Sequence, residues 1–247
     1  FMTDALVERE DNNGIAILTL NRPKALNSLS PSLFVELRAH IESIAESDQI
    51  GCVILRGKGR SFSAGNDLNA ITSGDVAPSR PFQAETLDLI ASLPQPVIAS
   101  VQGHCYTGSL ELALACDLLI ASESAKFADT HGKWGMTPTW GMSQRLPRRI
   151  GLLKAKEMMF TGRIVSGPES VDLGLANECV ADDDLISHTI NLAQQIVANS
   201  WHTLKADKVL VNQGLDLHLT DGLAWERANS PGAGPDMKER LANFGKK

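Results

Sequence analysis

The chain has 247 residues, 43% of them hydrophobic and 21% charged, which is enough apolar material for a substantial core and far from a disordered or collagen-like composition. A formal net charge of −6 without a dense Lys/Arg run argues against a nucleic-acid partner, and no apolar stretch approaches the length that crosses a bilayer. Cys52, Cys105, Cys116 and Cys179 are scattered through apolar stretches, with no CxxC pair and no histidine at zinc-ligand spacing, so they read as buried thiols rather than metal ligands. With no basic-then-apolar order at the N-terminus, the expected location is the cytoplasm.

In chain order, Gly14 to Leu20 is β-rich and bounded by Asn12-Asn13-Gly14 and Asn21-Arg22-Pro23, which predicts a strand of an early hairpin. Ser30-Pro31 opens a helix with Leu33, Phe34, Leu37, Ile41 and Ile44 on one face, Ser30 as its cap and Pro31 in its first turn. A buried strand follows at Cys52 to Leu55. The pattern then repeats: a helix over Phe82 to Leu93, a strand over Pro96 to Val101, a glycine turn, an apolar helix over Leu110 to Cys116 and a strand over Leu118 to Ala121. Strand-helix alternation of this kind predicts an α/β fold with crossover connections. After about residue 145 the pattern is mainly helical, with a last strand over Ala176 to Val180. The core is assigned to residues 2–190 and a helical C-terminal subdomain to 191–247, while Ser73 to Pro81 reads as a loop.

Two glycine turns follow β-like segments and precede helix-like ones: Ser61 to Leu68, and Gly103 to Glu111. At a helix N-terminus the first N–H groups lack internal partners, so such turns can hold an anion or a developing oxyanion, although most glycine turns simply reverse the chain. Glu111 sits at the start of a helix that continues Leu-Ala-Leu-Ala-Cys and is expected to be buried. Two uses fit it: complementing the helix dipole, worth on the order of 0.3–1 kcal/mol, or acting as a perturbed acid/base. His104 and His131 carry the same pair of readings. Asp67 and Asp129 could serve as auxiliary acids, but a turn cap and a solvated strand end are the readings put first.

These residues carry a resemblance. The order Asn21-Arg22-Pro23 with Ala25-Leu26-Asn27, Ser63 to Asp67, Pro96 to Ala99 with Gly103, Gly108 to Ala113 with Cys116-Asp117, Phe127, Gly135 to Pro138, Gln144-Arg145-Leu146, Thr161-Gly162 and Phe244 with Lys246-Lys247 resembles the crotonase (enoyl-CoA hydratase/isomerase) superfamily from end to end. The resemblance implies a crotonase-like spiral of ββα units with a helical C-terminal trimerisation subdomain, assembled as a homotrimer or a dimer of trimers. It implies an acyl-CoA thioester as substrate, with coenzyme A as part of it and no separate cofactor. An oxyanion hole formed by the N–H groups of Ala64 and Gly108 would stabilise the enolate more than the ground-state carbonyl. CoA contacts map onto Arg22, Lys24, Ala25, Leu26, Ala64, Asn66, Asp67 and Leu68, and Phe244 and Lys247 would add contacts from a neighbouring subunit.

Hydratases of the superfamily use two glutamates, one in the glycine-rich helix and one about twenty residues later in a Pro-Glu pair. The first maps onto Glu111. The second falls on His131, with Thr130 at the proline, so this chain departs from the pattern there. His131 could be a replacement acid/base with a near-neutral pKa, or a non-catalytic substitution. The reading put first is hydration of a 2-trans-enoyl-CoA with Glu111 and His131 as the catalytic pair. The alternatives are double-bond isomerisation with one principal base, other enolate chemistry such as decarboxylation or thioester hydrolysis, and a non-catalytic acyl-CoA binder. The cost of keeping Glu111 in an apolar helix argues against a pure binder.

Overall fold

The computed structural model describes residues 4–244. In chain order its elements are β1 (Val7–Asn12), β2 (Ile15–Leu20), α1 (Pro31–Ala45), β3 (Cys52–Gly57), α2 (Ala70–Ser73), α3 (Phe82–Ser92), β4 (Val97–Val101), β5 (His104–Tyr106), α4 (Gly108–Leu114), β6 (Leu118–Ser122), β7 (Lys126–Ala128), α5 (Met142–Ile150), α6 (Leu152–Thr161), β8 (Val165–Ser166), α7 (Gly167–Asp172), β9 (Glu178–Val180), α8 (Leu185–Val197), α9 (Trp201–Gly214), α10 (Leu219–Asn229) and α11 (Met237–Ala242).

The larger sheet has six strands in the order β1-β2-β3-β4-β6-β9, antiparallel between β1 and β2 and parallel beyond. A smaller sheet, β5-β7-β8, stands beside it. The chain places a long strand in the first sheet (β4, β6), turns, places a short strand in the second (β5, β7) and moves into a helical segment, which is the ββα repeat expected. β3 is followed by only an isolated bridge, Ser63 to Cys105, in the second layer. Glycine permits the step after β4: Gly103 has φ +56°, and a Cβ there would lie 2.1 Å from the Arg60 carbonyl.

The period-2 pattern of the strands divides the core in two. Val53, Leu55, Val97, Ala99 and Val101 face α1, α3 and α4 with Leu33, Phe34, Leu37 and Leu87. Cys52, Ile54, Ile98 and Ile120 face the opposite way and are covered by α8 through Leu185 and Ala193, with Ser100 and Thr189 hydrogen-bonded at 3.1 Å on that same face. At roughly 1.5–3 kcal/mol for each large aliphatic side chain buried, α8 is an integral layer of the core. Residue 191 falls inside α8, so the division at 190/191 does not match the packing. The change comes after Val197: α9, α10 and α11 bury none of their residues in the single chain.

α1 begins as expected, with the Ser30 hydroxyl accepting the Leu33 N–H and Pro31 in the first turn. Just before it the chain passes through two left-handed residues, Leu26 (φ +50°) and Asn27 (φ +53°). Asn27 is fully buried; it donates to the carbonyls of Lys58 (2.9 Å) and Ser61 (2.8 Å) and accepts the Arg22 N–H (2.8 Å), tying this turn to the loop after β3. Asn27→Ala would strand these groups and should lower the unfolding free energy by roughly 2–4 kcal/mol, from the cost of unpaired buried polar groups. Urea unfolding that shifts by less than about 0.5 kcal/mol, the scale of an ordinary surface substitution, would contradict this role.

Candidate active site

Glu111 lies in the first turn of α4, a helix whose seven residues are all buried. Its carboxylate is 2% exposed, and Oε1 accepts backbone N–H groups from Trp140 (3.0 Å) and Met142 (2.9 Å) at the start of α5. Oε2 is 3.9 Å from Nε2 of His131, too far for a direct hydrogen bond. Burial pushes the Glu111 carboxyl up, the Met142 N–H, the His131 ring and the Trp140 N–H pull it back, Asp129 adds to the rise, and the net direction is upward.

His131 opens a short 3-10 turn, His131–Trp134, that packs on α6. Its Nδ1 lies 2.6 Å from Oδ1 of Asp129, and the same oxygen accepts the His131 N–H at 3.1 Å. Burial works against the charged ring, but the Asp129 hydrogen bond and charge and then the Glu111 charge outweigh it, so the His131 pKa is raised. Asp129 is 1% exposed, which corrects its reading as a solvated strand end. The carboxylate follows directly on β7, whose last residues are buried, and is carried inward with them. Thr130, in the place of the expected proline, is 2.5 Å from the hydroxyl of Thr107, and the Thr107 hydroxyl also accepts the Thr130 N–H (3.1 Å). Thr107 precedes α4 at φ +53°, a strained conformation for a β-branched residue, so these bonds hold the entry to that helix.

The two glycine loops meet beside this cluster. A Cβ on Gly65, whose φ is +103°, would lie 2.6 Å from the Tyr106 carbonyl and 3.8 Å from the Gly108 nitrogen, so that position demands glycine, while one on Gly108 would lie 2.5 Å from the Trp140 ring and would have to move it. The N–H of Ala64 is donated to the Leu26 carbonyl at 2.9 Å, which corrects its expected role as an oxyanion donor. The parallel bridge between Leu29 and Asn66 engages the carbonyl of Gly65 and the N–H of Asp67, turning the Asn66 N–H to the opposite side. From Ser63 to Asp67 it is the N–H of Asn66 that has no partner within the described residues, as is true of Gly108 at the start of α4.

Lys24 and Ala25 are exposed on a 3-10 turn, Pro23–Ala25, with Leu26 half-buried after it, next to the exposed Asn66 and Leu68. Arg22 is different: its Nη1 binds the Ser28 carbonyl (2.6 Å) and the Asp67 carboxylate (2.7 Å), and Asp67 also receives the Asn69 N–H (3.0 Å). Burial raises the Asp67 pKa but Arg22 and the Asn69 N–H lower it further, and the net direction is downward. Both side chains therefore clamp the loop. Phe244 follows α11 and is 88% exposed, and Lys247 lies outside the described residues. A cavity of about 940 Å³ opens elsewhere, between α3, α5 and α9; Asp88, Cys116, Arg145 and Lys208 line it, and Glu111 and His131 do not.

The sequence model of the enoyl-CoA hydratase/isomerase family matches residues 10–244. The chain belongs to that family. The short-chain-enoyl-CoA hydratase of Clostridium acetobutylicum is 32% identical over 91% of this chain and 87% of its own length, and the crotonyl-CoA hydratase of Syntrophomonas wolfei is 30% identical over 97% and 94%. The crystal structure of enoyl-CoA hydratase from Bacillus anthracis superposes with a TM-score of 0.92 at 32% identity, covering 98% of this chain and 96% of that one. The chain is an enoyl-CoA hydratase/isomerase family enzyme of hydratase-like type, and no helix among its described residues is long and apolar enough to cross a membrane.

Within this family fold, Trp140 ties the pieces together: its N–H binds Glu111, its ring covers Gly108, and it meets Phe34 edge to face at 5.2 Å. Gly108→Ala should push the Trp140 ring off Phe34 and change the near-ultraviolet circular dichroism while the far-ultraviolet spectrum stays the same. An unchanged near-ultraviolet spectrum would show that the ring does not occupy the Cβ position.

Proposed function

We propose that this enzyme adds water across the 2-trans double bond of an enoyl-CoA, with Glu111 and His131 as the acid/base pair. The observation that carries the reading is the free Oε2 of buried Glu111 facing Nε2 of His131 at 3.9 Å, with the Gly108 N–H three residues before Glu111 on the same helix. The thioester carbonyl would accept the N–H groups of Asn66 and Gly108. Negative charge builds on that oxygen as the enolate forms, and donors already in place stabilise it more than the ground state. Oε2 takes a proton from water as the hydroxyl bonds to C3, and the protonated Nε2 gives a proton to C2 as the enolate collapses. The product gains one water, Glu111 ends protonated and His131 neutral, and passage of that proton from Oε2 to Nε2 through solvent restores the pair. The reaction as written moves protons and a hydroxyl and calls on no redox group or metal.

Coenzyme A, as part of the substrate, would lie along Lys24, Ala25 and Leu26 and the loop from Ala64 to Leu68, with Arg22 and Asp67 holding that loop rather than the phosphates. A homotrimer or dimer of trimers would cover α9–α11, whose exposed Val209, Val211, Leu215 and Leu219 support an interface there, and would bring Phe244 and Lys247 to a neighbouring site. Four free cysteines, three of them buried, fit the cytoplasm.

Purified enzyme with crotonyl-CoA should give a product heavier by one water. Glu111→Ala and His131→Ala should each lower kcat by roughly 10²–10⁴-fold, the usual contribution of general acid/base catalysis. Mass-neutral double-bond migration in a 3-enoyl-CoA, needing Glu111 alone, would replace this reading with an isomerase, and tight binding without turnover would replace it with an acyl-CoA binder.

Hydration needs Glu111 ionised and His131 protonated, and both pKa values are raised. The kcat profile should therefore fall on acidification at a pH above the ordinary carboxylate range, and on alkalinisation at a pH above the ordinary imidazole value. The two limbs belong to the coupled pair. A profile flat through both regions would contradict the assignment.

A further inference from the structure

Four heteroatoms in a row define the arrangement: Asp129 Oδ1, His131 Nδ1, His131 Nε2 and Glu111 Oε2, separated by 2.6 Å, the imidazole ring, and 3.9 Å. A carboxylate oxygen can only accept, so the proton of this first bond lies on Nδ1 whether the ring is neutral or charged. Nε2 is then the nitrogen that gains and loses a proton. At the other end Oε1 of Glu111 is occupied by two N–H groups, which leaves Oε2 as the oxygen that faces it.

A purely structural use of Asp129, as a turn in which its side chain receives the N–H two residues on, accounts for the 3.1 Å bond to the His131 nitrogen. It does not account for the shorter bond to the ring, nor for a carboxylate 1% exposed. A buried carboxylate is retained when a charge or strong donors compensate it, and its hydrogen-bond donors here are the N–H and ring of His131.

We propose that Asp129 is a positioning residue for the hydration: it fixes His131 with its proton on Nδ1 and aims Nε2 at the reacting atoms opposite Glu111. This rests on the reading of His131 as the second acid/base. The charged groups acting on the ring are Asp129 and Glu111. When the ring is an imidazolium, its proton goes from Nε2 to C2 of the substrate, and Asp129 gains and loses none.

The test compares wild type with Asp129→Asn, Asp129→Ala and Asp129→Glu, using steady-state kinetics on crotonyl-CoA and a nitrogen-15 NMR titration of the His131 ring. Asp129→Asn and Asp129→Ala should lower kcat by about 10²-fold, within the range that acid/base catalysis supplies, with KM changed by less than about threefold. The alkaline limb of their kcat profile should move to lower pH, the NMR pKa of His131 should fall with it, and Asp129→Glu should recover part of both. Asp129→Asn keeps the site filled, so the proposal remains exposed to failure even where Asp129→Ala does not fold. A kcat within about threefold of wild type in Asp129→Asn, or a His131 titration indifferent to the substitution, would overturn it. The NMR arm needs no turnover: if wild type fails to hydrate crotonyl-CoA, the functional reading falls, while the ring titration still decides whether Asp129 sets the state of His131.

Discussion

A carboxylate 2% exposed inside a seven-residue buried helix is costly, and much of its surroundings follows from that cost. Two backbone N–H groups at the start of α5 converge on one oxygen of Glu111, which fixes the register of α5 against α4. The Trp140 ring then lies over Gly108, and a side chain at that position would have to displace the ring. The opposite oxygen is left to His131, which is itself held by Asp129. A pure scaffold would gain by replacing such a carboxylate with an apolar residue, since buried ionic groups are weak sources of stability. The arrangement makes sense as one that holds a proton acceptor ready.

The second constraint is the close approach of two backbone loops. Gly65 lets the segments after β3 and β5 pack without a side chain between them, and Asn27 and the Arg22–Asp67 pair hold the first loop. Backbone donors fixed in this way need not reorganise as charge develops, which is why a hole built from main chain suits enolate chemistry. The loops belong to successive repeats of the fold, so the spiral brings together donors that lie more than forty residues apart in the chain.

Much of this was legible from residue order. Ser30-Pro31 and the apolar face behind it marked α1, the burial of Glu111 followed from the helix around it, and the ordered glycine motifs pointed to the family. What was not legible depended on register and pairing. β5 and β7 are three residues each, too short to show a period of two, so the residue pattern did not reveal them and only the family resemblance implied a second sheet. Which N–H of the Ser63–Asp67 loop is left without a partner among the described residues depends on the bridge between Leu29 and Asn66, a contact between segments that no local pattern specifies; the sequence pointed to Ala64, whose N–H the Leu26 carbonyl takes, where the pairing leaves that of Asn66. Arg22 was mapped among the CoA contacts because its partner, Asp67, is 45 residues away and not apparent from the residues around it. The Asp-x-His spacing was visible, but that the aspartate turns inward follows from the buried end of β7.

The proposed hydration requires one substrate to sit with its carbonyl on two backbone donors while its double bond lies between Glu111 and His131. A crystal structure with an unreactive enoyl-CoA analogue tests it most directly. The thioester oxygen should lie within hydrogen-bonding distance of the Asn66 and Gly108 nitrogens, with C2 and C3 between Oε2 of Glu111 and Nε2 of His131. An analogue bound with its carbonyl away from those nitrogens, or with its acyl chain on the far side of Trp140 from Glu111, would contradict it.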